Sequence, residues 1–253
     1  MKWSGSIIAF FISALGLVGG VLALTRHALS QPDSLHYSVR GIDVSHHQGA
    51  INWPVVARAN VRFAYIKATE GQNLTDDRFK ANWEGAARAG VARGAYHFFT
   101  FCSPGEAQAE NFIKLVPVTS SALPPAVDVE FAGNCENPPN RRAIRTQLHA
   151  LLDSLERRYG RKPLIYTTLS ASWLIIDDSF TANPIWIRNL YAPPWLLGAL
   201  RWTLWQHSDN GAVAGVSTAV DLNVFNGDDA ALATCVQRGV CEHLPGSSMA
   251  SKR

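Results

Sequence analysis

Residues 124–130 read Pro-Pro-Ala-Val-Asp-Val-Glu, an apolar run that ends in two carboxyls separated by one residue. The prolines mark the start of an extended segment, and Ala126, Val127 and Val129 suit a buried strand. Side chains two apart on a strand point to one side with Cα atoms about 6.5 Å apart, so Asp128 and Glu130 share one space. Mutual repulsion and partial desolvation then raise the proton affinity of one of them, which a general acid needs near neutral pH. An isolated Asp-x-Glu is ordinarily solvated surface charge, but the apolar lead-in argues that this one closes a buried strand.

Similar runs occur at 39–44, 63–68, 92–98, 163–168, 184–188, 202–207 and 218–224, which with 124–130 makes eight strands. Helix signals fall between them. Asp76 and Asp77 can cap a segment through Ala89, and Ser103-Pro104 opens another that carries Ala107, Phe112 and Leu115. The clearest helix is 140–159, where Ile144, Leu148, Leu151, Leu152, Leu155 and Tyr159 recur at helical spacing before Gly160 stops it. Strands that alternate with helices pair in parallel through right-handed crossovers, and eight are enough to close a barrel. From about 170 to 215 the helices are short or missing. The expected fold is therefore α/β, an irregular (β/α) TIM-like barrel of eight strands with incomplete helices in the second half.

The 253 residues are 47% hydrophobic and 17% charged, which excludes a disordered chain and a disulfide-held miniature. Lys2, Arg26, Lys252 and Arg253 lie in end segments without acidic residues; with them set aside, the formal charge of +3 leaves a near-neutral body. No concentrated basic field suggests nucleic acid. Residues 7–24 are an uncharged apolar run between Lys2 and Arg26, read as a signal peptide or membrane anchor within 1–30, with the anchor preferred. Either reading puts the body outside the cytoplasm, in the cell envelope or secreted. A linker at 31–38, a catalytic barrel domain at 39–242 and a flexible tail at 243–253 complete the division, with no internal repeat and a monomer expected. Four cysteines in an exported chain indicate bridges, for which three pairings exist. The short loop between Cys235 and Cys241 favours that pair together with Cys102–Cys135. A zinc site is the rival, but no C-x-x-C pair supports it.

In a barrel, the strand ends and the loops that follow build the mouth. Polar residues collect there: Asp43, Glu70, His97, Asp128 and Glu130 close successive strands, and Asp221 lies in the last. Four carboxyls in one mouth are costly as structure alone and fit glycoside hydrolysis or a divalent metal. His46-His47 could serve the metal reading, yet adjacent residues point in different directions. Tyr65, Tyr96, Phe98, Tyr166, Trp186 and Trp205 also fall on strands; each taken singly suits a packed core, but one or two suit sugar stacking.

The motifs Gly41-Ile-Asp-Val-Ser-His-His-Gln-Gly49, Ile51-Asn-Trp53, Phe63-Ala-Tyr-Ile-Lys-Ala-Thr-Glu-Gly71, Gly94-Ala-Tyr-His-Phe-Phe99, Ala126-Val-Asp-Val-Glu130, Leu164-Ile-Tyr166, Leu204-Trp-Gln206 and Val220-Asp-Leu-Asn-Val-Phe225 follow one another over residues 40 to 227. Together they closely resemble glycoside hydrolase family 25 lysozymes. The resemblance implies an irregular barrel that cuts the β-1,4 bond between N-acetylmuramic acid and N-acetylglucosamine in peptidoglycan, without metal or organic cofactor. It implies Glu130 as general acid, Asp128 beside it tuning its proton and orienting the substrate acetamido group, and Asp43 and Asp221 completing an acidic floor. Sugar contacts are implied at Tyr65, Glu70, Tyr96, His97, Tyr166, Trp186, Trp205 and Gln206. Net retention is implied, with either the substrate acetamido group or a carboxylate assisting. Two departures stand out: Ile187-Arg-Asn-Leu190 replaces the family's usual small residue and tyrosine, and a Cys135 loop follows Glu130. A non-catalytic glycan-binding barrel and a metal-dependent envelope hydrolase are the competing readings.

Overall fold

The computed structural model describes residues 31–33, 36–194 and 201–241. Every one of the eight expected strands forms: β1 (Arg40–Val44), β2 (Val61–Glu70), β4 (Ala92–Phe98), β5 (Ala126–Val129), β6 (Leu164–Thr168), β7 (Ile185–Arg188), β8 (Trp202–Gly211) and β9 (Val220–Phe225), with a two-residue β3 (Leu74–Thr75) added on the end of β2. The sheet runs β1-β9-β8-β7-β6-β5-β4-β2, and β2 returns to pair with β1, which closes the barrel. The apolar segment at 7–24 and the tail at 243–253 lie outside the described residues. Among the described residues no helix is long and apolar enough to cross a membrane.

One expectation needs correction. The barrel is mixed, because β9 runs antiparallel to both β8 and β1 while the other pairings are parallel. No helix separates β8 from β9, so the chain turns back as a hairpin, and a hairpin can only be antiparallel.

The helices are α1 (Trp53–Arg58), α2 (Phe79–Arg88), α3 (Gly105–Leu115), α4 (Arg141–Tyr159), α5 (Leu169–Leu174) and α6 (Asp229–Arg238). In α4 the Asn140 side chain accepts from Ala143 N, and Gly160 ends the helix in the left-handed region at φ 65°. Short α5 and a 3-10 turn at Asp178–Phe180 are all that joins β6 to β7, as the weak helix signals implied. Helix α2 starts at Phe79 and Arg78 gives it no side-chain cap, but Asp76 caps the turn that leads in, its Oδ1 accepting from Arg78 N at 2.9 Å. Asp76 Oδ2 also accepts from His46 N at 2.8 Å and His46 Nδ1 at 2.9 Å, tying the turn after β1 to the loop after β3. Both α1 and α6 escaped the sequence reading, although Asn52 and Asp228 cap them.

Strand alternation sorts the core into two layers. Phe63, Tyr65, Leu164, Tyr166, Trp186, Leu204 and Phe225 fill the barrel, while Ile42, Ile66, Val127, Val129, Ile165, Ile187 and Val224 face the helices. Glycine makes room for the large interior rings: a Cβ on Gly94 would lie 2.3 Å from Tyr65 Cε1. Both disulfides take the favoured pairing, Cys102–Cys135 and Cys235–Cys241.

Candidate active site

Inward parity brings four carboxyls to one end of the barrel. Ala126 is inside and Val127 and Val129 are outside, so Asp128 points inward and Glu130, just past the strand, keeps the same parity. Asp43 is next to last on β1. The reversal of β9 matters here, because its first residues lie where the parallel strands finish. Asp221 thereby sits in register opposite Asp43.

Asp43 is held by two amides. Its Oδ2 accepts from Asn223 Nδ2 at 2.7 Å and from Gln206 Nε2 at 3.2 Å. Each amide is oriented by an aromatic donor beneath it: Tyr166 OH donates to Gln206 Oε1 at 2.7 Å, and Trp186 Nε1 to Asn223 Oδ1 at 2.8 Å. With their oxygens engaged, both amides turn N–H toward the carboxyl. Burial pushes the Asp43 carboxyl well above the usual range, and the Asp221 charge adds to this. The close approach of the two carboxyls raises Asp43 and lowers Asp221. Burial still leaves Asp221 above its ordinary value.

Asp128 and Glu130 form the second pair. Burial lifts Asp128 well above the carboxylate range, and the charges of Glu130 and Asp43 push it the same way. Burial also raises Glu130, opposed by Arg188, reinforced by Asp221 and opposed again by Lys67. Their exposures differ. Asp128 is 8% exposed and its Oδ1 has no hydrogen-bond partner among the described residues, whereas Glu130 is only partly buried.

The loop behind this pair is tied at several points. Phe99 N donates to the Asp128 carbonyl at 3.0 Å. Asn134 Nδ2 donates to the carbonyls of Phe99 at 2.9 Å and Glu130 at 3.0 Å, while its Oδ1 accepts from Phe101 N at 2.8 Å and Cys135 N at 3.0 Å. The Cys102–Cys135 bridge joins the same two loops.

Of the aromatic candidates, Tyr65, Tyr166 and Trp186 pack together under the acids with ring centroids 4.9 and 4.8 Å from Trp186. They are buried and serve as a floor, with Tyr65 OH donating to the Pro124 carbonyl at 3.1 Å. Tyr96 stands edge-on to Trp186 at 6.4 Å and keeps partial exposure. Glu70 pairs with Lys67 at 2.7 Å, and Lys67 lies over the Phe98 ring. His97 and Trp205 do not reach this end as expected. Both have the opposite strand parity and are 0% exposed in the layer beneath the helices. His97 bonds Thr69 Oγ1 at 2.7 Å and Gln108 Oε1 at 3.0 Å, and Trp205 Nε1 donates to the Asn189 carbonyl at 2.8 Å.

Lys67, Asn223, Arg188 and Asn134 escaped selection as site residues. Period-two counting finds the first three, since Lys67 follows Phe63 and Tyr65, Asn223 follows Asp221, and Arg188 follows Trp186 on one face. No local signal marks Asn134. A groove of about 540 Å³ lined by Ile51, Trp53, Ala81 and Arg88 lies on the outer surface and holds none of the four carboxyls.

Fold, site chemistry and sequence similarity make the protein a glycoside hydrolase on an irregular α/β barrel. Within that class the chain belongs to the glycosyl hydrolases family 25, whose model matches residues 42–216. It is 41% identical over 213 residues to Lysozyme M1 of Streptomyces globisporus, covering 77% of this chain and 70% of that protein. To the N,O-diacetylmuramidase of a Chalaropsis species it is 32% identical over 209 residues, covering 75% and 97%. The solved structure of a family 25 glycosyl hydrolase from Bacillus anthracis superposes with a TM-score of 0.74 at 41% identity, over 78% of this chain and 92% of that one.

Proposed function

We propose that the protein is a muramidase that hydrolyses the β-1,4 bond between N-acetylmuramic acid and N-acetylglucosamine in peptidoglycan, with Glu130 as general acid. The observation that carries this reading is the carboxyl cluster, in which Glu130 combines a raised proton affinity with partial exposure at the barrel end. The names of the relatives, a lysozyme and a muramidase, point to the same bond.

In this reading the Glu130 carboxyl passes its proton to the glycosidic oxygen as the bond from that oxygen to the anomeric carbon breaks and the acetamido oxygen or a carboxylate bonds to that carbon; water then displaces this group and returns a proton to Glu130. Arg188 and Lys67 oppose the rise in its proton affinity, so the acid is tuned rather than locked in its protonated form. Asp128 Oδ1, buried without a partner among the described residues, suits a hydrogen bond with the acetamido N–H and orients that group for the retaining pathway. Asp43, held by two amides, and Asp221, opposite it in register, complete the acidic floor. Work on peptidoglycan places the enzyme outside the cytoplasm, in keeping with the apolar run at 7–24.

Turbidity loss of purified cell walls tests the proposal. Wild type is expected to lyse them and Glu130→Gln to lose about 10²–10⁴-fold in rate while still binding. Released fragments should carry muramic acid at the reducing end by mass spectrometry. Binding without lysis by either protein sinks the enzyme assignment, and reducing-end glucosamine sinks the choice of bond.

A further inference from the structure

Arg188 stands at the end of β7 on the same face as Trp186, which lies inside the barrel, while Ile185 and Ile187 face outward. In register it neighbours Thr168 on β6 and Gln206 on β8, the latter already bonded to Asp43. Its Nη2 donates to Asp209 Oδ2 at 2.7 Å, which sets the direction of the guanidinium. A guanidinium has five N–H donors. Among the described residues only Asp209 receives one, and the side chain is 33% exposed. The other cation among the described residues at this end, Lys67, is likewise paired at 2.7 Å, with Glu70, but it is less exposed, lies against Phe98 and lacks the planar fork that leaves Arg188 donors to spare after one ion pair.

We propose that Arg188, aimed by Asp209, is a specificity residue that binds a carboxylate carried by the glycan strand. The barrel end gathers four carboxyls, none of which can donate a charge-assisted hydrogen bond to an anion, so a glycan that presents a carboxylate there needs one cation with unused donors. The planar fork of Arg188 matches a carboxylate in two-bond geometry, which an ammonium group cannot reproduce. Resting on the muramidase reading, the proposal names two chemical sources of that carboxylate. One is the lactyl carboxylate of muramic acid residues that carry no stem peptide. The other is a carboxylate of the stem peptide itself.

The test measures initial rates of reducing-end release by wild type, Arg188→Ala and Arg188→Lys. Peptide-free muramic acid and glucosamine oligomers are used with lactyl carboxylates free or converted to amides, beside peptide-bearing strands with stem carboxylates free or amidated. Wild type should show KM about tenfold higher for the amidated form of the recognised source, with kcat little changed. Arg188→Ala should treat free and amidated forms alike, and Arg188→Lys should keep a reduced preference. Because each preference is a ratio within one protein, partial loss of folding does not imitate the result. A wild-type preference confined to the lactyl pair or to the stem pair and lost in Arg188→Ala supports the proposal and names the source. Equal preference in wild type and Arg188→Ala, with all substrates cut, overturns it while leaving the muramidase reading intact. If wild type cuts none of the substrates, the muramidase reading falls and the proposal with it.

Discussion

Glu130 sits between opposing charges, and the signs of their effects are separable. The Arg188 cation favours its ionised form and the Asp221 anion disfavours it. Replacing Arg188 with Ala should make Glu130 hold its proton to higher pH, moving the alkaline limb of the kcat profile upward. Asp221→Asn should move that limb the other way, because removing a negative neighbour favours ionisation. Both shifts are read from pH–rate profiles, and two shifts of the same sign would contradict the assignment of Glu130 as acid. Asn223 is the other residue with a clear expectation. It joins Asp43 to Trp186, so Asn223→Leu strands a buried acceptor and a buried indole N–H. A loss of about 2–3 kcal/mol in urea unfolding is expected.

At the scale of elements, the loops after β4 and β5 behave as one clamp. The Cys102–Cys135 bridge closes a 33-residue separation, and Asn134 places four hydrogen bonds beside it. Removing the bridge should cost about 2–4 kcal/mol by relaxing the constraint on the unfolded chain. An unchanged melting temperature after verified reduction would reject that figure. Asn134→Ala should lower kcat more than it changes KM, since the amide holds the Glu130 carbonyl and touches no part of the proposed substrate site. A KM effect alone would argue that the loop binds sugar instead of aiming the acid.

Across the whole molecule, buried histidines and buried acids respond to pH in opposite directions. Burial lowers His97 and His207 from 6.5 to about 4. Between those values the unfolded chain takes up protons that the folded chain refuses, so stability falls as pH drops from 6.5 towards 4, by roughly 3 kcal/mol per histidine. The four acids, whose affinities are raised on folding, behave inversely: their destabilisation at neutral pH is relieved as pH falls through their folded values. His207 Nδ1 is buried without a partner among the described residues, which makes His207→Leu a clean probe. That variant should narrow the gap in unfolding free energy between pH 7 and about 4.5; an unchanged gap would mean that His207 is protonated in the native state. A chelator should leave lysis unaffected, and loss of activity restored by a divalent ion would overturn the metal-free mechanism.

Much of this architecture is local information. Period-two runs such as Val-Arg-Gly-Ile-Asp-Val at 39–44 name the strands, and 3.6-residue spacing names α4, because burying one face imposes those periods on the chain itself. The four carboxyls were legible for the same reason, since each lies at or beside a strand end. Local sequence does not say which side of the barrel wall receives a given face, and on that account it cannot tell that His97 and Trp205 face the helices while their neighbours Tyr96 and Gln206 face the barrel interior. Nor does it give the direction of β9, which needs its neighbours β1 and β8 and which carries Asp221 to Asp43. Arg188 meeting Asp209, and Asn134 reaching back to Glu130, exist only once separate strands and loops are brought together. Hydrogen bonds and charge coupling depend on distances across the closed barrel, and those distances belong to the folded chain alone.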